Sequence, residues 1–262
     1  MKKRFEIRIS DKAFDVIIYT LAIAFALICL YPLYLVLINS FSDPYAVARG
    51  EVFLLPKPYI KSGIPMFIDK PITYSEEDAK EFMAELKANK VPVFGGSMVV
   101  FSEGIKKLKE SLKTVEYGSI LGGFIRMPVN KCNPYGNFHF YSQHGIQCMM
   151  EVFGMNPRSV QVFEKGITYT CVVRYDDYDV VLFFAEDTSV YYQAIDYAKK
   201  FLGEEISLEG CADEEFMEFH ELLTTRNQKN SYEEIFAPVY VINAIDRAIK
   251  SGKEETIVKY EV

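Results

Sequence analysis

The stretch Ile64-Pro65-Met66-Phe67-Ile68-Asp69-Lys70-Pro71 decides how this chain is read. A few apolar residues that stop at an acid, a lysine and a proline describe a buried parallel strand. Such a strand delivers a side chain to the carboxyl edge of its sheet, where open α/β structures bind ligands. That places Lys70 in a ligand site. Just downstream, Ser75 with Asp78 three residues on is a helix N-cap close to a capping box, and Ala79, Phe82, Met83 and Leu86 share one helical face. The run 91–94 (VPVF) is a second short strand, Gly95-Gly96 a turn, and 103–112 a second helix. Strand, helix, strand, helix is the βαβ rhythm of a parallel sheet.

Farther downstream the rhythm changes. Residues 117–127 form a strand candidate and 143–153 an apolar helix ending at Gly154. The stretches 160–164, 168–175 and 179–184 are β-branched and aromatic, with turns at Lys165-Gly166 and Asp176-Asp177-Tyr178 between them. Short strands at 191–197 and 205–208 continue a largely antiparallel sheet. Helices at 213–224 and 232–250, the second capped by Ser231 and stopped at Ser251-Gly252, and a strand at 255–260 close it. The expected class is α/β with an α+β C-terminal domain: a remnant βαβ over 58–114, then a mainly antiparallel sheet packed with helices over 115–262.

Upstream of 64 the chain has another character. From 16 to 38 it reads VIIYTLAIAFALICLYPLYLVLI without a charge. Twenty-three residues at about 1.5 Å each make roughly 34 Å, enough for a hydrocarbon core of about 30 Å, so this is a transmembrane helix with Pro32 inside it. A cleaved signal peptide has a shorter apolar core and a small-residue cleavage site, and neither is present. Five basic residues precede the span, which puts the N-terminus in the cytoplasm and the rest outside. Residues 1–57 are then a single-pass membrane anchor.

Charge and cysteine usage narrow the function classes. Residues 1–57 carry a net +2 and the remainder −9, without the concentrated basic footprint that nucleic acid requires. Cys29, Cys132, Cys148, Cys171 and Cys211 are odd in number and irregularly spaced, which reads as reduced thiols and a cytosolic origin for the part beyond 58. That origin conflicts with the topology of the span. No Walker A loop, G-x-S-x-G, H-E-x-x-H or zinc-type Cys/His spacing occurs, so no metal is expected.

Two resemblances follow from quoted residues. DKAFDVIIYTLAIAFALICLYPLYLVLINSFSDPYAVARGEVFLLPK is similar to the first transmembrane segment and external loop of bacterial ATP-binding-cassette sugar permeases. That family implies further spans, and no second long apolar run follows, so an anchor without transport activity is expected. From 64 to 262 the chain resembles the C-terminal part of the glucose-fructose oxidoreductase / inositol dehydrogenase (Gfo/Idh/MocA) family. The resemblance rests on Asp69-Lys70-Pro71, on GNFHFYSQHGIQCMMEVFG (136–154) and on the closing SYEEIFAPVYVINAIDRAIKSGKE.

It implies an NAD(P)-dependent sugar or polyol oxidoreductase, a homo-oligomer through the sheet face, and a cis peptide before Pro71. Lys70 and His144 are its implied catalytic residues, with Lys70 and Pro71 at the cofactor and His139 and Tyr141 lining the sugar site; Tyr135 is a further lining residue. His144 would act as a proton acceptor. Two departures stand against activity. The family's aspartate four residues before the histidine is Phe140 here, and no G-x-G-x-x-G turn precedes Ile64 to hold a pyrophosphate. The expectation is therefore a catalytically incomplete dehydrogenase domain, or else a membrane-anchored carbohydrate-binding or scaffold protein.

Overall fold

The computed structural model describes residues 11–42, 47, 52, 59–132, 134, 137–186 and 188–258. The basic residues 2–8, Tyr135 and the strand end at 259–260 lie outside the described residues. The chain divides into two units, Met1–Gly63 and Ile64–Val262.

In the first unit, helix α1 runs over Asp11–Ser40 with Pro32 inside it. Its 27 residues from Phe14 to Ser40 are long and apolar enough to cross a membrane by length and composition. At about 1.5 Å per residue they span about 40 Å, against a hydrocarbon core of about 30 Å. Large apolar side chains such as Leu21, Phe25, Ile28 and Val36 are exposed along it, the surface expected of a helix whose surroundings are apolar. Thr20 donates its hydroxyl to the Val16 carbonyl at 2.7 Å, so its polar group is satisfied within the helix. Near the helix end Ile38 and Val52 are buried together with Leu35 and Val47 against them.

In the second unit the quoted stretch forms strand β1 (Met66–Asp69), followed by helix α2 (Glu76–Ala88) and strand β2 (Val93–Gly96). The two strands pair in parallel, Phe67 opposite Phe94 and Asp69 opposite Gly96. Ser75 accepts the Asp78 N–H at 3.0 Å as the N-cap, and α2 buries Ala79, Met83 and Leu86 at the spacing read from sequence. At Gly95 the strands come so close that a Cβ would lie 1.9 Å from the Ile68 carbonyl oxygen, which only glycine accommodates. A 3-10 turn over Met98–Phe101 leads into α3 (Glu103–Ser111).

Strands β3 (Ile120–Pro128), β4 (Ser159–Lys165), β5 (Thr168–Arg174), β6 (Asp179–Ala185), β7 (Tyr192–Tyr197), β8 (Lys200–Glu205) and β9 (Glu255–Thr256) form a seven-stranded sheet ordered β8-β7-β3-β6-β5-β4-β9. All neighbours are antiparallel except β3 and β6. Helices α4 (Asn137–Phe153) and α6 (Tyr232–Ser251) pack on this sheet, and α5 (Cys211–Thr225) packs against β2 and the 3-10 turn. The capping box of Ser231 and Glu234 starts α6, and Gly252 ends it in the left-handed conformation at φ 67°.

Three expectations are corrected. Helix α4 begins six residues before 143, because Phe138, which reads as loop, packs edge-on to Tyr169 and Phe184 at 5.1 and 5.4 Å and draws its turn into the helix. The strand placed at 205–208 lies at Lys200–Glu205, where it closes a hairpin on β7 with Tyr197 opposite Lys200. Tyr117, the first residue of 117–127, ends a 3-10 turn over Val115–Tyr117, and the strand starts at Ile120.

The core lies between the large sheet and α4 and α6. Ile125, Met127, Cys171, Leu182 and Phe184 point into it from the strands, and Ile146, Met149, Met150 and Ile245 from the helices. Each full burial of such a side chain stabilises by about 1.5–3 kcal/mol. Helix and sheet approach closely at Gly145, where a Cβ would lie 2.9 Å from the Phe184 ring and 3.0 Å from Met127. The opposite face carries half-buried Phe124, Val172, Val181 and Phe183, with Phe124 and Phe183 stacked at 6.4 Å. Cys148, Cys171 and Cys211 are buried, and Cys132 is exposed.

Candidate functional site

Lys70 leaves the carboxyl end of β1 through a cis Lys70–Pro71 peptide, as the resemblance implies. Its backbone N–H donates to the Asp69 carboxylate at 2.8 Å. Its Nζ donates to the Phe140 carbonyl at 3.3 Å and stands 3.3 Å from the centroid of the Phe140 ring and 5.5 Å from that of Tyr141. The first turn of α4 therefore offers the ammonium two aromatic faces, a cation–π arrangement. Burial pushes the Lys70 amine below the usual lysine range, and the Asp69 charge opposes the shift.

His144 lies one turn on in α4, 7% exposed, with the Tyr141 ring at 6.4 Å. Desolvation and then the charge of Lys70 push its imidazole down to about 4. The ring is therefore neutral at pH 7. Ser97, immediately after β2, places its Oγ 2.6 Å from Nδ1 of the ring. Gln147, one turn farther along α4, abuts the same strand end: a Cβ at Gly96 would lie 2.2 Å from its amide nitrogen.

Of the residues chosen from sequence, Lys70, Tyr141 and His144 converge, with Pro71 adjoining. His139 is placed elsewhere on α4. Its Nε2 contacts the Asp246 carboxylate directly and its ring lies 5.8 Å from Tyr74, so it ties α4 to α6. Sequence reasoning missed Ser97, although a hydroxyl just past the carboxyl end of a strand is a position where ligand groups collect. It also missed Glu215 of α5, because a carboxylate in the run Asp213-Glu214-Glu215 reads as a solvated helix start. Burial and then the Asp69 charge push Glu215 up to about 7. Around it Phe67 meets Phe216 and Phe219 at 6.3 and 5.4 Å, and Phe94 meets Phe219 at 6.3 Å.

A cleft of about 560 Å³ opens beside β2, with Phe94, Phe101, Ser97 and Gln147 among its lining. Ion pairs of Lys106 with Glu214 at 2.6 Å and Lys109 with Glu151 at 2.5 Å also line it, and Lys70 is not in its lining. Among the described residues no group of three or more His, Cys, Asp or Glu is placed to hold a metal ion.

No family model matches the chain. No curated protein matches it either. Solved structures do. Myo-inositol 2-dehydrogenase from Lactobacillus plantarum superposes with a TM-score of 0.66 at 12% identity, over 76% of this chain and 75% of its own. Myo-inositol dehydrogenase from Lactobacillus casei, solved with NAD(H) and myo-inositol, gives 0.65 at 13%, over 75% and 71%. A myo-inositol dehydrogenase from Corynebacterium glutamicum gives 0.66 at 13%, over 77% and 75%. The C-terminal unit thus has the mixed α/β fold found in these inositol dehydrogenases.

Proposed function

We propose that residues 64–262 are a sugar- or polyol-binding domain of Gfo/Idh/MocA ancestry, with Lys70, Tyr141 and His144 at its site, and that this chain alone does not transfer hydride. The observation that carries the reading is the convergence of the Lys70 ammonium, delivered by the end of β1, and the neutral His144 imidazole, delivered by α4, beside the Tyr141 ring. An ammonium donor, an imidazole and an aromatic ring suit the oxygens and C–H face of a polyol.

A dinucleotide does not fit the residues present. In a dinucleotide fold the pyrophosphate rests on the helix N-terminus that follows a strand. That helix follows its strand through a G-x-G-x-x-G turn, and no such turn occurs in the sequence. The carboxylate that the family would place near the lysine is replaced by the Phe140 ring, which holds the ammonium by its face. Helix α1, long and apolar enough to cross a bilayer, would serve as a membrane anchor.

Titration of the full chain in detergent micelles with inositols and hexoses, and separately with NAD(H) and NADP(H), tests this reading. A polyol at 100 times its Kd is expected to stabilise the fold by about 2.7 kcal/mol, and Lys70→Met to abolish the shift. Micromolar binding of either dinucleotide would sink the claim of incompleteness, and no response to any polyol would remove the binding role.

A second reading concerns the open sheet face. Phe124, Val172, Val181 and Phe183 form an apolar row on the side away from α4 and α6, which favours burial against a second copy. Sedimentation of Phe183→Glu is expected to give monomer where the parent chain gives an oligomer. A parent chain that sediments as monomer contradicts this reading.

A further inference from the structure

We infer that Ser97 is a positioning residue that holds His144 in the tautomer protonated at Nε2, so that His144 presents an N–H rather than a lone pair to a ligand. The inference rests on the reading above that Lys70 and His144 share a ligand site, and it is carried by the valence of one hydroxyl. Ser97 is 2% exposed. Its Oγ accepts the Val99 N–H at 3.2 Å, as the cap of the 3-10 turn, and lies 2.6 Å from His144 Nδ1. No third partner meets this oxygen among the described residues.

A hydroxyl has one proton to donate. If Nδ1 carried the imidazole proton, Ser97 would accept from both Val99 and His144 and its own buried O–H would have no acceptor, an arrangement that folded proteins avoid. With the Ser97 proton directed to Nδ1, every group in the pair is satisfied. Nδ1 is then the acceptor, and a neutral ring must carry its hydrogen on Nε2. Burial and then the nearby Lys70 ammonium disfavour the doubly protonated ring, so neutrality and tautomer are both fixed by the surroundings.

The consequence is chemical. A site built from the Lys70 ammonium and a His144 N–H offers donors from both groups, which selects acceptor oxygens of a ligand and disfavours deprotonation of its hydroxyl. Binding of a polyol fits this arrangement, and acceptance of a hydroxyl proton does not.

The test is the ring-nitrogen spectrum of the ¹⁵N-histidine-labelled full chain in detergent micelles at pH 7 without any polyol. His144→Gln assigns the His144 signals against those of His139 and His220. The expected result is an unprotonated Nδ1 and a protonated Nε2 for His144 in the parent chain. Ser97→Ala is expected to shift the ring toward mixed tautomers, and Ser97→Thr to restore the parent pattern. A protonated Nδ1 in the parent chain, or an Ser97→Ala spectrum identical to the parent's, would overturn the inference. Should Ser97→Ala not fold, the parent and Ser97→Thr spectra decide it. Because the spectrum is read without ligand, a failure of polyol binding would refute the proposed function and leave the tautomer result standing.

Discussion

The two sheets of the C-terminal unit are held together by different means. In the seven-stranded sheet every inner strand is hydrogen-bonded on both sides, and its helix-facing side chains, such as Ile125, Leu182 and Phe184, are fully buried. The β1–β2 pair has two strands, and a pair of that size is not stable by itself. It depends on α6, which packs against β2, and on Phe216 and Phe219 of α5, which pack against Phe67 and Phe94. His144 therefore sits on the stiff half of the site, fixed by α4 against β3 and β6, and Lys70 on the half secured by a single strand pairing and side-chain contacts. Damage to the large sheet should unfold the unit, whereas damage to the small one should loosen the site first.

Phe184→Ala attacks the stiff half at its centre. Removal of a fully buried phenylalanine costs about 3–5 kcal/mol, to be read as a fall in the denaturant midpoint, with every probe of the unit lost together. A cost below about 1 kcal/mol would mean that the sheet and α4 repack freely, and the contrast between the halves would fail. Gly145→Ala should cost less, about 1–3 kcal/mol, since the added carbon would stand 2.9 Å from Phe184 and force α4 outward. The displaced helix should also alter the His144 ring signals.

Glu215→Gln sharpens the comparison through pH. The folded unit binds a proton at Glu215 up to about pH 7, and a free carboxyl of this kind loses it near 4.5. The unfolded chain thus binds fewer protons between those values, so the wild-type chain loses stability as pH rises through 4.5 to 7. The variant should flatten that slope and gain about 1–2 kcal/mol at pH 8, after allowance for solvent screening. An unchanged slope would show that Glu215 is not the group responsible. The smallest effect is expected for Phe219→Ala, which removes aromatic contacts worth about 0.5–1.5 kcal/mol. Hydrogen exchange should quicken in β1 and β2 and stay unaltered in the seven-stranded sheet. Equal acceleration in both sheets would remove the distinction.

Local patterns carried much of this into the sequence. Ser75 before an apolar helical face, Ser231 ahead of the last long helix, and the alternation along 168–184 each have a physical reason that operates within a few residues, and each appears as read. So does the parallel strand that ends at Lys70. Tertiary contacts overrode the rest. Phe138 reads as loop until Tyr169 and Phe184 are in place to receive it, and His139 reads as a site residue until Asp246, more than a hundred positions away, claims it. Ser97 and Glu215 were hidden for the same reason: a serine after two glycines and a glutamate among acids look solvated, and only the fold buries them.

The parallel pairing of β3 with β6 has a consequence for how the unit comes into being. β3 is made early, yet its two neighbours in the sheet begin at Asp179 and Tyr192, with α4 and the β4–β5 hairpin synthesised in between. The β4–β5–β6 meander is built from near neighbours in sequence and can close first, whereas β3 must wait for distant partners whose loop-closure entropy has to be overcome. During translation the central strand of the domain thus lacks its two neighbours until β6 and β7 have been made. The helix that bears His144 gains its floor only after β7 has been synthesised, and until then β3 is an unpaired apolar edge open to wrong partners.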